Sequence, residues 1–147
     1  MANNTTQRLQ NLRDSLKERK LNGLLVSAPE NRRYLSGFTG SAGYLLITQD
    51  DALLATDFRY IEQAGLQAPE FRVVRIAGGY DWFPQLLAET RVTKLGFESE
   101  DMSVALYQRL RQTLKESAET DDKKVRLVAT AGITEAIRAC KDQEEMQ

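Results

Sequence analysis

The chain has 147 residues, 41% hydrophobic and 28% charged, with 20 Lys and Arg against 21 Asp and Glu for a formal net charge of -1. That length and balance describe a single folding domain and exclude a disordered chain, and the near-neutral charge leaves no basic field for nucleic acid. No apolar run approaches the roughly 20 residues that span a bilayer, and MANNTTQRLQ lacks a secretory layout, so a cytoplasmic protein without membrane contact is expected.

In chain order, Leu9, Leu12 and Leu16 recur at i, i+3, i+7 over residues 6–21, predicting an amphipathic helix with Thr5 or Thr6 as N-cap and Asn22-Gly23 as its stop. GLLVS then has the continuous apolar character of a strand covered on both faces. After Pro29, ENRRYLSG fits about two helical turns that Gly37 would end, and AGYLLIT reads as a strand. Gln49-Asp50-Asp51 is turn chemistry, ALLATD is a second strand, and so short a connection predicts an antiparallel hairpin.

Helical spacing returns over 58–68, FRVVRIA is a strand, and Gly78-Gly79 marks a turn. Asp81 is placed to cap a helix over 82–89 that tolerates Pro84 in its first turn. KLGFES is a strand, Ser103 caps a helix carrying Leu106, Leu110 and Leu114, and the polar loop ESAETDDKK leads to the strand VRLVAT. The final helix, 134–147, ends in KDQEEMQ with neither glycine nor turn residues and is expected to continue beyond Gln147. Alternating helices and strands with one inserted hairpin define the α/β class: a three-layer α/β/α domain with a mixed, mostly parallel sheet. The domain is expected to occupy 1–131, with the last helix leaving it near Ala131–Gly132.

The richest segment is NRRYLSGFTGSAGYLLIT, with Gly37, Gly40 and Gly43 at every third position. It matches neither G-x-x-x-x-G-K-[ST] nor G-x-G-x-x-G, and a strand follows it where phosphate loops lead into a helix, so phosphate binding is not expected and a tight, closely packed turn is favoured over direct substrate contact from the loop. The absence of histidine removes the commonest general base, and the single cysteine excludes an internal disulfide. Cys140 is read as a buried small apolar residue. Asp57 and Glu98 each end an apolar strand, where open α/β sheets gather functional groups. Hydrogen-bonded structural carboxylates are favoured for both over an acid/base pair in a complete small enzyme. In DFRY, Arg59 is poised either to hold a substrate carboxylate by two hydrogen bonds or to pair with Asp57. Trp82 and Phe83 are assigned to the core.

Three ordered segments, NRRYLSGFTGSAGYLLIT, ATDFRYIEQA and KLGFESEDMSVALYQRL, resemble the N-terminal domain shared by creatinase, prolidase and Xaa-Pro aminopeptidase (aminopeptidase P), the aminopeptidases most of all. IRACKDQEEM resembles the family's junction, where an Arg-x-x-Lys segment leads into a catalytic domain. The resemblance implies a ribonuclease H-like fold here and, over 132–147, a linker and the start of a pita-bread catalytic domain. It implies that the catalytic domain binds two divalent ions, manganese, cobalt or zinc, through two Asp, two Glu and one His, and cleaves X-Pro peptide bonds in short peptides. No catalytic residue and no metal ligand is transferred to this chain. The implied role is a non-catalytic one, in homodimerisation and in the wall of the active-site cleft, with Arg59 and Tyr60, then Phe38 and Tyr34, as the residues expected to touch substrate. Phe58 departs from the Asp-Gly-Arg-Tyr version of the second motif. A stand-alone α/β binding or assembly module is the alternative.

Overall fold

The structure, a computed structural model, describes the backbone of residues 4–117 and 125–146 and the side chains of residues 5–117 and 125–139. Most of the ESAETDDKK loop and the Cys140 side chain therefore lie outside the described residues. The strands are β1 (Gly23–Val26), β2 (Tyr44–Thr48), β3 (Ala52–Thr56), β4 (Arg72–Arg75), β5 (Lys94–Glu98) and β6 (Arg126–Thr130). They form one sheet in the order β4-β3-β2-β1-β5-β6. Only β2 runs against its neighbours; β3–β4, β1–β5 and β5–β6 are parallel. This is the expected mixed sheet with its β2–β3 hairpin. The hairpin turn closes through Thr48, whose Oγ1 accepts from the amides of Asp50 and Asp51 at 3.2 and 2.9 Å.

The helices are α1 (Asn4–Glu18), α2 (Pro29–Ser36), α3 (Ile61–Gln67, entered through a 3-10 turn at Phe58–Tyr60), α4 (Trp82–Thr90), α5 (Val104–Glu116) and α6 (Ile133–Met146). Strand side chains alternate between two cores. Leu24, Val26, Leu45, Ile47 and Leu54 meet Leu9, Leu12 and Leu16 of α1, Leu35 of α2 and Ile133 of α6 on one face. Leu25, Leu46, Leu53 and Leu95 meet Trp82, Phe83 and Leu87 of α4 and Leu110 and Leu114 of α5 on the other. Each fully buried leucine or phenylalanine contributes about 1.5–3 kcal/mol relative to exposure, so the two layers hold the sheet between them.

Helix boundaries differ from expectation where the signal is conformational. α1 stops before Asn22-Gly23: Lys20 adopts φ 60°, and Leu21 N donates to Leu16 O at 2.9 Å, closing the helix without glycine. Asn22 instead joins two strands, its Oδ1 accepting from Lys94 N at 2.9 Å and Thr93 N at 3.2 Å. Thr5 and Thr6 lie inside α1. Asp81 precedes α4 with helical dihedrals (φ -62°, ψ -24°) and makes no capping bond, because an N-cap needs extended backbone. Ser103 does cap α5, accepting from Leu106 N at 3.0 Å. Gly132 (φ 77°) turns the chain into α6, whose first turn stays on the domain: Ile133 and Thr134 are buried and Ile137 packs on the α1 core.

Candidate functional site

Five of the six strands point the same way, so the ends of β1, β3, β4, β5 and β6 and the start of β2 share one rim of the sheet. Such C-terminal rims are where α/β sheets place their chemistry. Asp57 follows β3 there, and Glu98 ends β5.

At the β3 end, Asp57 Oδ1 accepts from Arg59 N at 2.9 Å and Arg59 Nε at 3.1 Å, and Oδ2 accepts from Nη2 at 2.8 Å. Of the two readings of Arg59, pairing with Asp57 is the one observed. The Arg59 hydrogen bonds hold the Asp57 carboxyl below the usual aspartate range, and Asp57 raises the guanidinium in turn. Nη1 of Arg59 makes no bond within this fork, and its side chain is 60% exposed, leaving a donor edge toward solvent. Tyr60 lies under it, ring centroid 5.1 Å from the guanidinium carbon, with its hydroxyl 2.6 Å from Ser41 Oγ. Phe58 is 69% exposed, with Arg75 5.8 Å from its ring.

The glycine loop supports this corner. Gly37 ends α2 at φ 86°, a left-handed conformation that few side-chain-bearing residues adopt. Gly40 crosses the Phe38 ring so closely that a Cβ there would sit 2.1 Å from Phe38 Cζ. The loop is then fastened to α3, with Thr39 N donating to Gln67 Oε1 at 2.9 Å and Gln63 Nε2 donating to Thr39 Oγ1 at 3.1 Å. Arg59, Tyr60 and Phe38 are thus brought together, Phe38 edge-on to Tyr60 at 6.0 Å between centroids. Phe38, however, is only 1% exposed and acts from beneath the loop. Tyr34 belongs to a different neighbourhood, its ring flanked by Arg8 of α1 at 4.1 Å and Arg138 of α6 at 6.0 Å.

At the β5 end, Glu98 Oε1 accepts from Ser27 N at 2.7 Å and Ala28 N at 2.8 Å, and Oε2 accepts from Asn31 Nδ2. Burial pushes Glu98 above the usual glutamate range, the three donors oppose that shift, and Glu135 adds to it. Glu98 is the hydrogen-bonded structural carboxylate the sequence favours. Asp57 binds Arg59 while Glu98 binds Asn31 and the β1–α2 turn, so the two share no hydrogen-bond partner. Beside Glu98 lies a cleft of about 190 Å³ lined by Glu30, Glu100, Asp101, Thr134 and Glu135. Trp82 and Phe83 are buried, as assigned.

Sequence reasoning missed Asn31 and Arg32, both buried. Arg32 donates to Ser27 O at 2.8 Å and Gly40 O at 3.1 Å, tying β1's end to the glycine loop. Burial lowers its pKa, against the pull of Asp101. The available signal was helical periodicity: Asn31, Arg32, Leu35 and Ser36 are the buried residues of α2 and form one stripe. Among the described residues no group of three or more His, Cys, Asp or Glu could hold a metal ion. No helix of the described residues is long and apolar enough to cross a membrane.

A mixed α/β sheet with this rim and these three motifs defines an N-terminal domain of the creatinase and prolidase type. Residues 8–140 match the Creatinase/Prolidase N-terminal domain, and the chain belongs to that family. It is 32% identical over 144 residues to an uncharacterised peptidase of Bacillus subtilis, covering 95% of this chain and 38% of that one. A Xaa-Pro dipeptidase from Bacillus anthracis superposes with a TM-score of 0.82 at 31% identity, over 92% of this chain and 36% of its own. The N-terminal domain of a cytoplasmic peptidase from Mycobacterium tuberculosis superposes at 0.79 with 36% identity, over 90% of this chain and 98% of its own. The chain therefore spans little more than a third of the two peptidases just named and nearly all of a solved N-terminal domain.

Proposed function

We propose that this chain is the non-catalytic N-terminal domain of a longer metal-dependent Xaa-Pro peptidase, most closely of the aminopeptidase kind, that hydrolyses X-Pro bonds in short peptides. The observation that carries the reading is coverage: the match is near-complete against an isolated N-terminal domain and 36% against a Xaa-Pro dipeptidase chain. The divalent ions, manganese, cobalt or zinc, belong in this reading to a following catalytic domain, reached through α6. The Arg59–Tyr60 corner forms part of the wall of the active-site cleft within a homodimer in the cytoplasm. Arg59 and Tyr60 face the substrate, Phe38 supports the loop beneath them, and Tyr34 stands apart between Arg8 and Arg138. This assignment draws on the exposed donor edge of Arg59 and the burial of Phe38.

The test compares the 147-residue chain with its longer parent on an X-Pro peptide, with and without manganese. Metal-dependent cleavage by the parent alone is expected. Cleavage by the isolated chain, or a parent inert toward X-Pro peptides at any metal loading, would overturn the reading.

A further inference from the structure

Asn31 sits where three elements meet, and both its amide group and its carbonyl oxygen are engaged. It is 1% exposed on α2. Its Nδ2 donates to Glu98 Oε2 at the end of β5 and to Glu135 Oε2 of α6 at 3.0 Å, while its Oδ1 accepts from Arg138 Nη1 of α6 at 3.1 Å. A carboxamide is suited to this place because it offers two donors and an acceptor in one plane. The donors separate two carboxylates that would otherwise repel, and the acceptor takes a guanidinium. Glu135 and Arg138 stand three residues apart, so they project from one face of α6 a single turn apart and grip the same side chain at two points. Glu98 is in turn held by the amides of Ser27 and Ala28, which ties the joint to the turn after β1. The guanidinium of Arg138 also lies 6.0 Å from the Tyr34 ring, beside the apolar contact that Ile133 and Ile137 make with α1.

Apolar packing alone would allow α6 to roll or tilt about Ile133 and Ile137, since dispersion contacts are non-directional. Hydrogen bonds to charged groups are directional and among the stronger ones available. We propose that Asn31, gripped by Glu135 and Arg138, is a joint that fixes the direction in which α6 leaves the sheet rim, making Asn31 and Arg138 positioning residues for the segment that follows the helix. The last clause rests on the reading of this chain as one domain of a longer peptidase; the joint itself does not. It gives the arginine of the Arg-x-x-Lys junction a role inside this domain, through Asn31 and Glu98.

The test is amide hydrogen exchange on this chain, comparing residues 136–139 of α6 with the central strands β1 and β5. In Arg138→Met, exchange at 136–139 is expected to quicken by about tenfold or more while β1 and β5 keep their wild-type rates. Arg138→Lys, which retains a charged donor, is expected to recover part of the protection. Asn31→Leu should repeat the local loosening; should that variant fail to fold, Arg138→Met decides alone. Wild-type exchange at 136–139 in Arg138→Met overturns the proposal. Equal acceleration of β1 and β5 overturns it too, because the pair would then serve global stability. None of these readouts uses hydrolysis, so the joint and the peptidase reading can fail independently.

Discussion

Gly40 and Phe38 occupy adjoining space with nothing between them: a Cβ built on Gly40 would lie 2.1 Å from Cζ and 2.7 Å from Cε1 of the Phe38 ring. The ring is 1% exposed in the α1-side core and cannot swing into solvent without opening a cavity. Gly40→Ala is therefore expected to destabilise the chain by about 1–3 kcal/mol, the usual cost of overpacking. Urea unfolding followed by tyrosine and tryptophan fluorescence measures it. A midpoint unchanged from wild type would show that the loop can lift off the ring at no cost.

The proposed role of Arg59 can be tested apart from its contribution to stability. Its pair with Asp57 is solvent-exposed, so Arg59→Ala should leave the melting temperature of the isolated chain unaltered. On the proposed reading, the same substitution in a longer Xaa-Pro peptidase is expected to lower kcat/KM for X-Pro peptides by about tenfold, with Arg59→Lys intermediate because lysine cannot reproduce the planar fork. Unchanged kcat/KM in Arg59→Ala would remove the residue from the cleft wall.

The two strand-end carboxylates should have pKa values displaced in opposite directions. Burial raises Glu98 in the folded chain, so its contribution to stability is complete below the unfolded value and is lost as pH rises through the folded one. The bonds from Arg59 lower Asp57, so its contribution is present above the unfolded value and is lost as pH falls through the folded one. Carboxyl carbon NMR titration should place Glu98 above a glutamate in an unfolded peptide and Asp57 below an unfolded aspartate. A Glu98 midpoint at or below the unfolded value would mean that the three hydrogen-bond donors outweigh burial.

Helix ends offer a paired test of local rules. Ser103→Ala removes the bond to Leu106 N and should cost about 1 kcal/mol. Arg91→Gly should act the other way. Arg91 closes α4 in the left-handed region at φ 60°, ψ 33°, and glycine relieves that conformation by up to about 1 kcal/mol. Thermal unfolding of the two variants checks both signs; destabilisation by Arg91→Gly would mean that packing of the arginine stem outweighs the backbone strain.

Those helix ends also mark the limit of local sequence signals. Gly37 was legible as a stop because glycine advertises a left-handed turn, whereas Lys20 and Arg91 adopt the same conformation with nothing in their chemistry to announce it. Asn22-Gly23 carried the turn signal but serves strand pairing instead. At the site, Arg59 with Asp57 was legible as a local pair two residues apart. The Glu98–Asn31–Arg138 chain joins positions 67 and 107 residues apart, and no local pattern records such a meeting.

The sequence by itself determined the α/β class, the hairpin, the apolar faces of the strands and the family, because periodicity and turn chemistry act between near neighbours and the motifs are contiguous. Only the tertiary structure decided that Phe38 supports the glycine loop from beneath, that Tyr34 sits between two arginines, and that a buried asparagine grips the last helix. The physical reason is that burial and hydrogen-bond partnership depend on which distant segments pack together. A polar residue on a helix carries the same local signal whether it faces water or closes a contact between a strand end and another helix.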